Sequence, residues 1–446
     1  MVRIPDGGEA PDLVSLEEAE SLLRARESPL MWLRTALVCL VLPVVAGTSS
    51  GGSLGSGRLT PDELLAGTAL GLSGGASAAM AEDPVLAVSP EMREFLDKHV
   101  DPKGSEKLKL LNLTSAVFSA ETFGLVYDDK TRTASEAFRT RHANCFSFSN
   151  MFVAMARAVG LTVQFQEVDI PPDWTFDKET YVLNQHVNVF VDLHLQGTRV
   201  VDFDIADFKA SYEMRRIPDT RALAHYYNNI GVARMQAGDT ASALSCFRTA
   251  IAVAQRKQPV AKDGKEVKEK VVKTGSLISR TTLEPNSDGS KQFSPAWTNL
   301  GTLYLRTGHP AHAEAAYLQA VKADPSDLVA MSDLARLYEE LGDRERAAAY
   351  RKRVMHHRYL NPYYRSELAR QAYTAHDYDT AIGHLKYAIH KRPKEDQFYF
   401  LLGACYLDKG DKRAAERWLA KAQEVASTDA LKRRYSSKID TLLHQP

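Results

Sequence analysis

Cys145, His186 and Asp202 are the three side chains of this sequence whose types and order suit nucleophilic chemistry. Cys145 lies in RHANCFSFSNMFVAMARAVGL, residues 141–161, where a polar stretch gives way to an apolar one. A cysteine in the first turn of a helix meets unpaired backbone N–H groups and the positive end of the helix dipole, and both favour thiolate. A thiolate nucleophile also needs a base, and a group that orients the base. Downstream, His186 opens the alternating run HVNVFVDL and Asp202 ends TRVVD. Each residue has an ordinary reading as well: core filler for a buried cysteine, a satisfied core histidine, an aspartate that closes a turn.

The elements that must position these groups follow from pattern. Asn144 fits an N-cap and Gly160 the residue after a helix C-terminus, which brackets Cys145–Val159 as one helix. Its inward stripe is Phe148, Phe152, Met155 and Val159. Further helices are predicted over 90–99, 104–119 and 133–141. TVQFQEV, HVNVFVDL and TRVVDFD are strand-like. In the second of these, Val187, Val189 and Val191 face the core, while His186 and Asn188 face the other way. Residues 89–220 are therefore expected to be α+β, with the cysteine helix feeding a sheet. Register decides whether the polar groups meet. A turn centred near His194 sets His186 opposite Asp202. A tight turn at Gln196-Gly197 sets it opposite Asp207 and leaves Asp202 roughly 16 Å along the strand, at about 3.3 Å per residue. Asp204 and Asp207 stand as alternatives.

The segment from Thr133 to Asp204 resembles the transglutaminase-like superfamily, whose core is papain-like. The likeness is carried by TASEAFRTRHANCFSFSNMFVAMARAVGL, NQHVNVF and VVDFD, and by the order Cys, His, Asp. The resemblance implies a nucleophile at Cys145, a general base and acid at His186, an orienting carboxylate at Asp202, and the longer of the two turns. The implied reaction is amide hydrolysis or acyl transfer, with no cofactor and no metal. The sequence departs from the family at His186-Val187-Asn188, where His-Ala-Trp is frequent, so that Trp makes no contribution. No oxyanion-hole side chain is assigned. Trp174 either packs or lines the mouth of the site, and His194 reads as a loop residue.

The second half repeats. In AWTNLGTLYLRTGHPAHAEAAYLQAVKADP, Trp297, Leu300, Gly301, Tyr304, Ala313, Tyr317, Ala320 and Pro325 fall on the tetratricopeptide pattern. Copies in phase contain Leu334 and Tyr338, then Leu368 and Ala381, then Leu402 and Gly403; an earlier one contains Tyr227, Gly231 and Phe247. About five repeats are expected over 221–445 as an all-α solenoid, with a charged insert at about 256–292 and a capping helix over 429–443. Asn229 and Asn299 share one inner position of two repeats, where such grooves hydrogen-bond a peptide backbone. The implied partner is a protein or peptide. Adjacent His356 and His357 point to different helix faces, which argues against a metal site.

Composition sets the outer bounds. The 446 residues are 44% hydrophobic and 25% charged, with 56 basic and 56 acidic side chains. That balance argues against nucleic acid as a partner. Thr35–Gly47 (TALVCLVLPVVAG) has the length of a signal-peptide core, with Met31 as an alternative start and residues 1–47 as the N-terminal extension. Uncleaved, the segment would hold the chain at a membrane. Residues 48–88 are Gly/Ser/Ala-rich and read as a flexible linker. The expected place is outside the cytoplasm, in the cell envelope or periplasm. Cys145, Cys246 and Cys405 then remain, an odd number, so at least one thiol is unpaired within the chain. Two functions are left open: an exported thiol enzyme with a recruiting repeat platform, or a non-catalytic repeat scaffold that keeps the papain-like module only as a fold.

Overall fold

A computed structural model describes residues 59–72, 84–177, 180–203, 213–256 and 293–426, together with 431–433, 435–437 and 439. The apolar run Thr35–Gly47, the charged insert, Asp204 and Asp207 lie outside the described residues. Part of the expected flexible linker is ordered. Helix α1 (Pro61–Ala66) starts on a capping box between Thr60 and Glu63 and buries Leu64 completely. Tyr304 donates to the Leu64 carbonyl at 2.5 Å.

Helices α2 (Pro90–His99) and α3 (Glu106–Phe118) lead into β1 (Val126–Tyr127), α4 (Ala134–Thr140) and β2 (His142–Ala143). The cysteine helix, α5, runs Cys145–Ala158. Asn144 Oδ1 accepts from the Ser147 N–H at 2.7 Å, and Gly160 takes a φ of 82° where the chain leaves the helix. The expected one-sided stripe is only part of its packing, because every residue from Cys145 to Ala156 is buried. Its polar residues are therefore all bonded: Ser147 Oγ accepts from the Arg132 N–H at 2.8 Å, and Asn150 Nδ2 donates to the Arg132 carbonyl at 3.1 Å.

Four strands, β3 (Thr162–Asp177), β4 (Thr180–Asp192), β5 (Thr198–Val201) and β6 (Glu213–Ile217), form the main sheet in the order β5-β4-β3-β6, antiparallel throughout. β3 and β4 form a hairpin longer than the sequence pattern suggests. Its register shifts between Asp169 and Trp174, around Pro171-Pro172, which have no N–H for the ladder. β5 pairs Val189 with Val201 and Asp192 with Thr198. The turn therefore centres on Leu195 rather than His194. Gly197 closes it at a φ of 81°, and its carbonyl accepts from the Leu193 N–H at 2.9 Å. Continued by one residue, this register sets Asp202 opposite Asn188 and places His186 diagonally, on the same face. β6 completes the other edge.

The molecule divides into two compact units, the first ending at Gly342 and the second beginning at Asp343. The first contains the sheet and also helices α6 (Asp219–Gln236), α7 (Thr240–Ala254), α8 (Ser294–Arg306), α9 (Pro310–Ala323) and α10 (Leu328–Glu340). Close approach within the pairs needs glycine: a Cβ on Gly231 would lie 2.6 Å from the Phe247 ring, and one on Gly301 2.6 Å from Tyr317. The second unit contains α11 (Arg344–Leu360), α12 (Pro362–Thr374), α13 (Tyr378–Lys391), α14 (Asp396–Asp408) and α15 (Lys412–Val425), around Ile382, Leu385, Phe398 and Leu402. In the expected capping segment, Tyr435 is buried and donates to Asp396 Oδ2 at 2.6 Å.

A buried ion cluster fastens α6 to the sheet. Glu167 on β3 accepts from His225 Nε2 at 2.8 Å and from Arg221 Nε at 2.6 Å, and it also pairs with Arg215. Burial alone would raise its carboxyl, but Arg221, then His225 and Arg215, hold it well below the usual carboxylate range. Burial pushes His225 below its ordinary value, so it donates as a neutral ring while the arginines supply the charge. Arg157 adds a two-point bridge to Asp219, at 2.7 and 2.9 Å. Glu167→Ala should lower stability by roughly 3 kcal/mol, the low end for breaking a buried pair because both arginines reach water. Urea unfolding followed by tryptophan fluorescence measures the loss.

Candidate active site

Cys145, His186 and Asp202 come from three elements, and the sheet edge brings them together. Among the described residues β5 pairs with β4 as far as Val189/Val201, and His186 lies in the stretch of β4 beyond. α5 borders this stretch: Ser149 Oγ lies 3.1 Å from the Val187 carbonyl and 2.9 Å from the Cys145 carbonyl. Phe146 stacks on Phe165 and Phe148 on Phe203, which seats the first turn of the helix against the sheet. Cys145 thus begins α5 beside the strand that holds His186.

His186 Nε2 lies 2.8 Å from both carboxylate oxygens of Asp202. That leaves Nδ1 as the ring nitrogen for the interaction of His186 with Cys145. Asn188 Nδ2 donates to Asp202 Oδ2 at 3.0 Å. Cys145 is 7% exposed, His186 4% and Asp202 3%. Burial on its own works against a charged imidazole. Its interactions with Cys145, then with the Asp202 carboxylate, outweigh it and hold His186 well above its usual value. The result is a buried array in which the His186 ring lies between Cys145 and Asp202.

The sequence pattern of the transglutaminase-like superfamily matches residues 94–205. Tetratricopeptide repeat patterns match residues 224–256, 298–354 and 372–432. The chain joins a transglutaminase-like domain to tetratricopeptide repeats. A curated relative, anaphase-promoting complex subunit 3 of Schizosaccharomyces pombe, is 27% identical over 120 residues, which is 27% of this chain and 18% of that protein. This chain thus matches less than a fifth of that relative's length. Among solved structures, MamA shares 17% identity over 47% of this chain and 94% of its own, with a TM-score of 0.21. BtubC from P. vanneervenii shares 19% over 51% and 84%, with a TM-score of 0.23.

The other candidates lie apart from the three central residues of the transglutaminase-like domain. His194 is in the β4–β5 turn, 3.2 Å from Glu106. Trp174 is in β3, where the backbone alone is described. Asn299 is 2% exposed and donates to Asn228 Oδ1 at 2.9 Å, inside the first repeats. Asn229 reaches Thr131 Oγ1 at 3.4 Å, and the same oxygen accepts from Asn144 Nδ2 at 3.1 Å. The first repeat therefore touches the cap of the cysteine helix. Cys246 and Cys405 are buried and form no disulfide among the described residues, and burial pushes the Cys405 thiol up to about 11. Asn188 is a partner of Asp202 that residue type and order do not signal, although strand alternation sets it on the face of His186. Glu167 carries no local signal, because its partners lie in β6 and α6, far along the chain.

The raised value of His186 has a pH consequence. Because the ring is protonated more readily folded than unfolded, its stabilising contribution is complete below about pH 6.5, the unfolded value. It is lost as pH rises through the higher folded value. Nitrogen spectra of histidine-labelled protein should show one ring still doubly protonated at pH 7.5, and Asp202→Asn should abolish that signal.

Proposed function

We propose that the chain is an exported thiol enzyme that transfers an acyl group from an amide, with its repeats recruiting the protein or peptide substrate. The observation that supports this reading most is the His186 ring, bonded to Asp202 at 2.8 Å and raised by its interaction with Cys145. The Cys145 sulfur attacks the amide carbonyl and forms the S–C bond. His186 Nδ1 gives its proton to the departing nitrogen as the C–N bond breaks, and a thioester remains. Water or an amine then attacks the thioester and gives its proton back to Nδ1, and the S–C bond breaks to restore the thiolate. Asp202 keeps the ring oriented throughout. Water gives hydrolysis and an amine gives cross-linking.

The repeats support the recruiting role through their family, whose pattern covers three stretches of the chain. Asn229 is the inner-face residue we assign to substrate contact, since its Oδ1 has no partner and its amide already borders the cap of the cysteine helix. Asn299 joins it in that role only if its bond to Asn228 opens. Export rests on the apolar run Thr35–Gly47; among the described residues no helix is long and apolar enough to cross a membrane. The near-complete burial of Cys145 favours a second reading, a scaffold whose papain-like module does no chemistry.

Thiol labelling separates the two. Under native conditions at neutral pH, iodoacetamide should modify Cys145 first, and Cys145→Ala should abolish the fast labelling. Labelling of Cys246 or Cys405 at a rate equal to Cys145, read by peptide mass spectrometry, supports the scaffold instead.

A further inference from the structure

We infer that Asn188 is a positioning residue for this site: it holds the Asp202 carboxylate in the orientation that His186 requires. The inference rests on the proposed thiol chemistry and goes beyond it, because Asn188 stands where the family resemblance offers a Trp.

Asp202 follows Val201, the last residue of β5, and so lies one step past the final ladder pair. Its carboxylate is carried on a strand end. Asn188 is anchored differently. It lies inside β4, paired with Gln166 of β3, and is 0% exposed. Its position opposite Asp202 follows from the Leu195-centred turn, and its Nδ2 meets Oδ2 at 3.0 Å. With Oδ2 fixed by that bond, both carboxylate oxygens stay within 2.8 Å of His186 Nε2.

The chemistry of the amide fits the task. A neutral donor fixes the carboxylate without cancelling the charge that stabilises imidazolium; a lysine at 188 would compete with His186 for it. Packing alone does not account for an amide here. Among the described residues Asn188 Oδ1 is buried without a partner, whereas an apolar side chain, as at Val187 and Val189, would fill the strand with no unmet acceptor. Among the described residues, the titratable groups that act on His186 here are Cys145 from α5 and Asp202 beyond β5.

The test is the pH dependence of Cys145 alkylation by iodoacetamide in the full chain. Wild type should show a rate plateau that extends well below the ordinary thiol range and reflects the sulfur–imidazolium pair. Asn188→Leu, similar in size but without a donor, should lower the plateau about tenfold, the scale for losing an outer hydrogen-bond partner. It should also narrow the plateau at its alkaline end as His186 loses its proton earlier. Asn188→Thr, which restores a donor, should recover part of the effect. In an Asp202→Asn background, Asn188→Leu should change nothing further, because its action runs through Asp202. A wild-type plateau that Asn188→Leu leaves intact overturns this inference alone, as does an added loss in the Asp202→Asn background. A wild-type profile with the single ionisation of an ordinary thiol overturns both this inference and the enzyme reading. If the variants do not fold, a crystal structure of the unaltered chain decides: the Asn188 amide within about 3 Å of Asp202 upholds the inference, and an amide turned away overturns it.

Discussion

The site depends on one bridge: the imidazole of His186, bonded to Asp202 and interacting with Cys145. Each member alone would be a poor choice for a buried position. A buried carboxylate or thiolate loses its hydration, and so does a buried imidazolium. Together they compensate one another, which is why His186 is driven upward although burial opposes its charge. In the proposed chemistry the same compensation serves the nucleophile, because a thiolate with a proton donor beside it is suited to acyl transfer.

The fold delivers the bridge beside the β4–β5 pairing. Among the described residues β5 pairs with β4 as far as Val201, and α5 borders the stretch of β4 beyond, so a helix start and a strand interior come within hydrogen-bond reach. The polar residues of α5 are consistent with this placement. Ser147 and Asn150 bind the segment around Arg132, and Ser149 binds the edge of β4. The Glu167 cluster then ties the sheet to α6, and Asn229 reaches the Thr131 hydroxyl that also takes Asn144. The first repeat is thereby built into the same compact unit as the sheet.

Much of this was legible in the sequence, for identifiable reasons. The helix of Cys145 announced both ends, through an asparagine cap and a glycine stop that act within a few residues. The repeats were legible because Gly231 and Gly301 recur with the rings that press on them. Strand alternation set His186 and Asn188 on one face. The turn was harder, since one residue of slip moves every opposite partner; it centres on Leu195, and Asp202 faces Asn188 while reaching His186 diagonally. The ordering of α1 was hidden because a Gly/Ser/Ala-rich context surrounds a short capped helix whose anchor, Tyr304, lies far along the chain. Glu167 was hidden for the same reason, as long-range ion clusters leave no local pattern.

Acylation by a small active ester tests the central claim without a known substrate. With 4-nitrophenyl acetate, wild-type protein should release a burst of about one nitrophenolate per chain, with the acetyl group found on Cys145 and the burst greatly slowed in His186→Ala. A burst of equal rate in His186→Ala, or acetyl found instead on Cys246 or Cys405, would contradict the account.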